Sequence, residues 1–394
     1  MHPTLLPVAE AQTRLFALAR PLSTETVPLA GAAGRWTAEA VDANRTQPDS
    51  DLSAMDGYAI RHADLPGPFA LIGESAAGHA FSGTVGLGQT TRIFTGAAMP
   101  GGTDCVLVQE DAERQDLTIR LSGEGPPRVG SNVRPRGLDF STGDALIEKG
   151  QRLTPAGLAL AAIAGHATLP VARRLTVAIA ATGDELAPPG TQDPGKLPET
   201  NGLMIAAMLR DLPVEIVDLG IIPDDLPTMT AAFAAVRADI LVTTGGASVG
   251  DHDLVRPALS AAGGSIDFWR IALRPGKPMM AGRLGDAVVL GLPGNPVSAF
   301  VTAHLFLRPL IAAMSGATDP LPRPFPARLG EPIRANDHRQ DYLRAELRDG
   351  LVFASTVQDS SMLRTLARAN CLLVRDPHAA AGQIGDAVEI LPIA

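Results

Sequence analysis

Leu241-Val-Thr-Thr-Gly-Gly-Ala-Ser-Val-Gly-Asp-His-Asp253 is the stretch from which the fold can be read. The β-branched run at 240–242 ends in two threonines, passes through Gly245 and Gly246, and reaches Asp251 and Asp253 ahead of a helical pattern over 254–263. That is a strand, a tight turn and a helix start. In open α/β sheets ligands bind where such turns leave the carboxyl ends of strands, because outward amides attract anions there and glycine admits a ligand close to the backbone. The amides favour an anion, whereas the two carboxylates repel one. A divalent cation between them removes the conflict, so the stretch predicts a Mg²⁺-bridged phosphate.

The neighbouring sequence repeats the pattern. Residues 175–181 form an apolar strand followed by Thr182-Gly-Asp-Glu185, residues 201–210 are helical, and residues 214–219 are a second strand ending at Gly220. Pro223-Asp-Asp225 then opens a helix to about residue 237. Serial β-α-β-α-β predicts a parallel sheet with helices on both faces. Glu185, Asp224 and Asp253 each follow a successive strand, which gathers them on one rim. Clustered carboxylates repel unless a cation or a shared proton offsets them, so three in succession point to a shared site. Cations follow in Leu273-Arg-Pro-Gly-Lys-Pro278, which offers Arg274 and Lys277. A second glycine turn, Pro293-Gly-Asn-Pro-Val-Ser298, opens an apolar helix over about 296–315, and its first-turn amides suit a phosphate. His304 and Arg308 on that helix read as structural residues.

Two other patterns compete. Gly246-Ala-Ser-Val-Gly250 matches the nucleophile elbow of serine hydrolases, and Asp267 followed by His304 or His338 supplies the required chain order. Against it, two acids stand beside the serine, at 251 and 253, and no glycine-rich oxyanion segment is evident upstream. Gly190-Thr-Gln-Asp-Pro-Gly-Lys196 imitates a P-loop, but Leu197 stands where Mg²⁺ needs a hydroxyl and prolines flank the helix start, so it reads as a loop.

The 394 residues are too many for one ordinary core, and 45% hydrophobic content with both helical and strand patterns excludes a disordered chain. A net charge of −9 argues against a nucleic-acid partner, which needs a basic face. Cys105 and Cys371 have no paired spacing, so neither a disulfide framework nor a zinc site is expected. With no leader pattern at Met1 and no long uncharged apolar span, a soluble cytoplasmic protein without membrane contact is expected.

Residues 7–20 carry a helical stripe through Val8, Ala11, Leu15 and Leu18, and residues 24–45 suggest a short strand and a weakly helical stretch. Between 57 and 128, short apolar runs alternate with glycine and proline, which predicts a β domain. It presents Asp56 from a Ser53-Ala-Met-Asp-Gly turn, Thr95 at a strand end, and Arg134, Arg136 and Asp139 from a loop. Thr154, Pro155 and Gly165 frame an alanine-rich helix expected to pack with the first 45 residues. From Pro322 the chain returns to β patterns at 342–347, 351–354, 371–374 and 387–391. The expected domains are 1–44 packed with 136–172, an inserted β domain over 45–135, an α/β domain over 173–318 and a small β domain over 319–394.

Taken jointly, Ser53-Ala-Met-Asp-Gly-Tyr-Ala59, Thr95-Gly, Asn132-Val-Arg-x-x-Gly-x-Asp139, Thr182-Gly-Asp-Glu-Leu186, Thr244-Gly-Gly-x-Ser-Val-Gly-x-x-Asp253, Pro275-Gly-Lys-Pro278 and Leu292-Pro-Gly-Asn-Pro-Val-Ser298 resemble the molybdopterin molybdenumtransferases of the MoeA family, related to the C-terminal part of gephyrin. The resemblance runs from about residue 7 to the end. It implies a multidomain α/β-plus-β fold with a MogA-like α/β domain, a split helical domain, an inserted β domain and a C-terminal β-barrel. It implies a homodimer with a site shared between subunits, transient contacts with molybdopterin adenylyltransferase and cofactor acceptors, and the reaction of adenylylated molybdopterin with molybdate, using Mg²⁺, to give molybdenum cofactor and AMP. By motif position it implies Asp56, Thr95, Asp139, Glu185 and Asp253 as catalytic residues, and Asp224 with Asp253 as metal ligands. Arg134, Gly245, Gly246, Ser248, Arg274, Lys277, Pro293, Gly294, Asn295 and Ser298 fall at binding positions. Glu185 and Asp139 are interchangeable at this level as the group that positions water or takes a proton. Arg274 stands where many members have lysine, Pro198-Glu-Thr-Asn201 departs from the usual run, and Gln358-Asp-Ser-Ser361 lacks the usual glycines. Two alternatives remain: the serine hydrolase, and a gephyrin-like scaffold with an idle cleft.

Overall fold

The computed structural model describes residues 5–245 and 254–393; Gly246, Ser248, Asp251 and Asp253 lie outside the described residues. Its centre is a six-stranded sheet in the order Val214–Ile222, Leu175–Thr182, Ile240–Thr244, Ala287–Leu292, Pro278–Leu284, Ser265–Arg270. The first four strands are parallel, and Pro278–Leu284 runs antiparallel to both its neighbours. Seven of the eight residues in Leu175–Thr182 are buried, the near-continuous apolar run that a strand covered on both faces needs. One face packs on helices Asn201–Met208 and Pro296–Met314. The other packs on Leu226–Ala234 and Val255–Ala261 through Met229, Phe233, Val255 and Leu259. The α/β class expected from sequence is what forms.

Local chemistry explains the boundaries. Asp225 caps its helix by accepting from the Thr228 N–H at 2.9 Å, with a proline in the first turn. The 214 strand runs on past Gly220 to Ile222, because a register irregularity opposite Ile179–Ala181 absorbs the glycine at φ 67°. Helix Pro296–Met314 widens into a π segment over Ala303–Leu307, next to Pro309, which has no N–H to donate. It is the one helix among the described residues long and apolar enough to cross a membrane. With 78% of it buried, it is the core helix of the α/β domain.

The N-terminal helix, Val8–Leu18, departs from expectation. It packs on the α/β domain, not on residues 136–172: Val8, Ala11 and Leu15 join the main core, and the Gln12 side chain donates to the Leu305 carbonyl at 2.9 Å. Its apolar stripe finds the large core helix, while Glu10 and Arg14 pair outward at 2.5 Å. Residues 24–45 do meet 145–172, through Thr24–Pro28 on Thr168–Ala172 and Val41–Asp42 on Ala145–Ile147. The weakly helical stretch expected there is only a 3-10 turn at Leu29–Gly31, cut short by the Gly34 turn at φ 72°. The helix capped by Thr154 forms as expected over Pro155–Ile163.

The β region is a six-stranded sheet holding Gly57–Ile60 between Cys105–Val108 and Gln89–Ile93. In the C-terminal region, five strands close a barrel: Gln340–Arg348, Leu351–Ala354, Phe325–Leu329, Ala387–Pro392 and Cys371–Arg375 pair in turn, and the last returns to the first. A short helix, Leu363–Arg368, interrupts the strands expected there.

Leu15 is fully buried between the first helix and the main core. Leu15→Ala should therefore lower unfolding free energy by about 3 kcal/mol. Glu10→Ala, which removes an exposed pair, should cost under about 0.5 kcal/mol. Chemical denaturation of both variants measures the difference; equal midpoints would show that the helix is not part of the core.

Candidate functional site

The parallel register sets neighbouring turns side by side: Ala181 is opposite Thr244, and Thr244 is opposite Leu292. Beyond these strand ends lies a cleft of about 910 Å³ lined by Thr182, Glu185, Asn201, Asp224, Thr244, Gly245, Pro293, Gly294 and Asn295, and by Ser361 and Leu363 from the C-terminal region. Two glycines make the rim tight. Gly245 has φ 95°, and a Cβ there would stand 2.7 Å from the Thr182 carbonyl oxygen. The Gly245 N–H donates to the Leu292 carbonyl at 3.3 Å, and a Cβ on Gly294 would lie 3.7 Å from the Gly245 Cα, so the two turns face each other closely. Both positions were expected to bind a ligand from sequence, and both line the cleft.

The acids follow. Glu185 folds its carboxylate back over Gly183, where a Cβ would come within 2.4 Å of it. The Asp224 N–H donates to Asp184 Oδ1 at 3.1 Å, and the Asp184 N–H donates to Asp224 Oδ2 at 3.3 Å. This reciprocal pair makes Asp184 part of the rim, a residue that spacing alone did not single out although it lies beside Glu185. Asn201 was also missed as a site residue. Its Nδ2 donates to the Gly294 carbonyl at 2.7 Å and holds that turn in place. The signal was its position opening a helix directly after a strand-like Leu197–Pro198 pair. Glu185 and Asp224 are hard oxygen donors, and a Mg²⁺ ion is ordinarily held by one or two carboxylates plus substrate oxygens, so the residues fit that ion. Among the described residues no three such side chains converge on one point.

The second turn differs from expectation. Pro296 has no N–H, and the Val297 N–H donates to the Ser360 carbonyl at 3.0 Å, so this helix start is partly occupied by the chain itself. Asn295 Nδ2 donates to Ser360 Oγ at 3.1 Å. Ser298 is buried beneath the turn, its carbonyl accepting from Thr302 Oγ1 at 2.7 Å, and does not line the cleft. Arg274 is engaged too: Nε donates to Asp341 at 2.7 Å, and Nη2 reaches Asn336 Oδ1 at 3.1 Å and Asp337 at 3.2 Å. Burial pushes the Asp341 carboxyl up while Arg274 pulls it down. Lys277 is exposed, beside the cleft-lining Pro278, and its ammonium has no partner among the described residues.

Asp56, Thr95, Arg134 and Asp139 form a second group on and beside the β sheet, and none of them lines the cleft. Asp56 accepts from the Thr95 N–H at 2.7 Å and from Thr95 Oγ1 at 2.8 Å. Those two bonds, the backbone one first, hold its carboxyl below the usual range. Arg134 is exposed in a short strand paired with Leu52–Ser53, and the Asp139 N–H donates to the Gln47 carbonyl at 3.0 Å. The hydrolase pattern gains nothing: among the described residues no hydrogen bond joins Asp267 to His304 or His338. His304 stacks on Phe300 with ring centres 6.3 Å apart, and burial pushes its pKa down to about 4.

Residues 6–165 match the MoeA N-terminal region (domain I and II), residues 178–313 a probable molybdopterin binding domain, and residues 326–393 the MoeA C-terminal region (domain IV). The chain is 35% identical to the molybdopterin molybdenumtransferase of Haemophilus influenzae, covering 98% of each chain. It is 34% identical to molybdopterin molybdenumtransferase 2 of Mycobacterium tuberculosis, over 93% of this chain and 94% of that one. The crystal structure of the molybdopterin biosynthesis MoeA protein from Pyrococcus horikoshii superposes with a TM-score of 0.84 at 27% identity, covering 99% of this chain and 100% of that one. Full-length similarity of this kind, on a fold whose glycine turns and rim acids were legible beforehand, means that the chain belongs to the MoeA family, the molybdopterin molybdenumtransferases.

Proposed function

We propose that this transferase of molybdenum cofactor biosynthesis inserts molybdate into adenylylated molybdopterin, releasing AMP and molybdenum cofactor, as a soluble cytoplasmic homodimer. The observation that carries the reading is the cleft in which two glycine turns meet beside Glu185 and Asp224 at the carboxyl ends of a parallel sheet. Amides and a small-residue rim suit the diphosphate link of a nucleotide-linked pterin. Asp224, with Asp253 outside the described residues, would hold Mg²⁺. When bound, that ion supplies charge neutralisation at the diphosphate. Asn201 keeps the Gly294 turn open to the ligand by holding its carbonyl. Lys277 attracts the oxyanion; Arg274 joins it only by sharing its guanidinium with Asp337 and Asp341. Glu185 holds or moves a proton as oxygen leaves molybdate as water.

The second group completes the site from the partner subunit in this reading. Thr95, Arg134 and Asp139 are exposed and Asp56 is half-buried, and all four sit apart from the cleft of their own chain, which is the arrangement a shared site requires. A nucleotide-linked substrate needs an adenylyltransferase to supply it and an acceptor to take the product, so transient contacts with both follow.

Asp224→Asn should purify folded and release AMP on the order of a hundredfold more slowly in a molybdate-dependent assay; unchanged turnover would sink the metal-ligand assignment. Mixing Asp56→Asn subunits with Asp224→Asn subunits is expected to restore about a quarter of wild-type activity, since half the dimers are mixed and each carries one intact site. Failure to recover activity after verified subunit exchange would place all acids on one chain. For Asp56, Thr95→Val should raise the carboxyl pKa part-way toward its ordinary value, because the backbone N–H, the larger cause, survives. The sign is fixed: a depressed carboxyl stabilises the fold above its unfolded pKa and loses that contribution as pH falls through the native one. An NMR titration in which Thr95→Val leaves the Asp56 midpoint untouched would refute the bond.

A further inference from the structure

A second cavity, of about 500 Å³, lies in the C-terminal region between the ends of strands Gln340–Arg348 and Leu351–Ala354 and helix Leu363–Arg368. It shares no lining residue with the cleft, although the two share a wall: Ser361 and Leu363 face the cleft, and Met362, Arg364, Thr365 and Arg368 face the second cavity. Three guanidinium groups, Arg348, Arg364 and Arg368, meet two carboxylates there, Glu331 and Glu346. The surplus is positive on a chain whose net charge is −9.

The cations are also free to act. Arg364 and Arg368 stand one helical turn apart, and neither side chain has a hydrogen bond or ion pair among the described residues. Arg348 sits over Phe353, its guanidinium carbon 4.4 Å from the ring centre, and its one carboxylate neighbour among the described residues, Glu346, is at 3.8 Å. A guanidinium held over an aromatic ring keeps its N–H donors for an oxyanion, which it can take through two parallel bonds. Phe353 is fixed beneath it, because Gly330 packs so tightly on the ring that a Cβ would come within 2.4 Å. Val357 and Met362, 47% and 37% exposed, give the rim an apolar side.

We propose that this cavity binds a small organic phosphate, with the phosphate between Arg364 and Arg368 and a flat apolar body against Val357 and Met362 under the Arg348 edge. The volume falls in the range of small-molecule sites and exceeds what a bare ion fills, and a mostly polar lining with one apolar side of Phe353, Ala354, Val357 and Met362 suits a ligand that joins an anionic group to an apolar body. The inference does not depend on the reaction assigned to the cleft.

Calorimetric titration of the full-length protein with phenyl phosphate tests it, with inorganic phosphate and phenol as controls. Saturable binding is expected, tighter than for either control, and weakened roughly tenfold or more in Arg364→Ala/Arg368→Ala. Arg364→Lys/Arg368→Lys should lose less. Thr356→Glu, a negative charge on the exposed rim, should weaken binding independently and serves if the double variant proves unstable. Lys277→Ala reports any phosphate taken up by the cleft and should leave the affinity unchanged. Absence of saturable binding, equal affinity for inorganic phosphate, or a loss seen with Lys277→Ala and not with the cavity variants would each overturn the proposal.

Discussion

Backbone contact between the Gly245 and Gly294 turns is the constraint on which the rest depends. Parallel pairing of Ile240–Thr244 with Leu175–Thr182 and Ala287–Leu292 delivers three chain exits to one rim, in register. A side chain at Gly245 would push its turn away from the Thr182 carbonyl. Glycine at 245 is required twice over, by its positive φ and by the Thr182 carbonyl beside it. Because the exits are held together, Glu185, Asp224, Asn201 and the Pro293–Asn295 turn are neighbours although nearly 110 residues separate the first from the last.

The C-terminal barrel is tied into that rim by two sets of bonds. Ser360 accepts from the Val297 N–H and from Asn295, and Arg274 binds Asp341 and Asp337. The first set closes the helix start that sequence logic assigned to a phosphate. The second occupies the guanidinium that the same logic assigned to an oxyanion. Both are internal contacts where the sequence suggested a ligand contact, and Ser361 and Leu363, beside the first set, line the cleft. The barrel is therefore structural support for the site as well as a separate core.

What the sequence made legible followed from short-range rules. Apolar runs ending in Thr-Gly, a capping Asp225 and the Thr154-Pro155 start located strands, helices and rim residues, since these depend on a few adjacent positions. The partners of charged groups were not legible. Nothing in Leu273-Arg-Pro-Gly-Lys-Pro278 states that Arg274 will meet Asp341, 67 residues on, while Lys277 stays exposed. The stripe on Val8–Leu18 announced a helix but not which apolar surface it would cover, because hydrophobic burial is non-directional. Asp184 escaped notice because its role is reciprocal with Asp224, a relation that exists only once two loops meet.

That reciprocal relation bears on how an acidic rim tolerates an anionic ligand. Two like charges 4 Å apart repel by about 1 kcal/mol in water and about 4 kcal/mol at the effective dielectric of a protein surface. At Asp184 and Asp224 each carboxylate accepts the other's backbone N–H, so part of that repulsion is offset without any cation. The amides consumed this way cannot also bind phosphate, and the Val297 amide is consumed by Ser360. The rim thus offers fewer free donors to an anion than its turns suggest, while Glu185 and Asp224 still present negative charge to the cleft. A polyanion entering it would meet the carboxylates of Glu185 and Asp224, opposed among the described residues by Lys277 and, in part, by the shared guanidinium of Arg274. Under the proposed reaction, an ion at this rim would therefore have more charge to offset than in a glycine-rich turn whose amides are all unspent, because the internal bonds that hold the turns together use those amides.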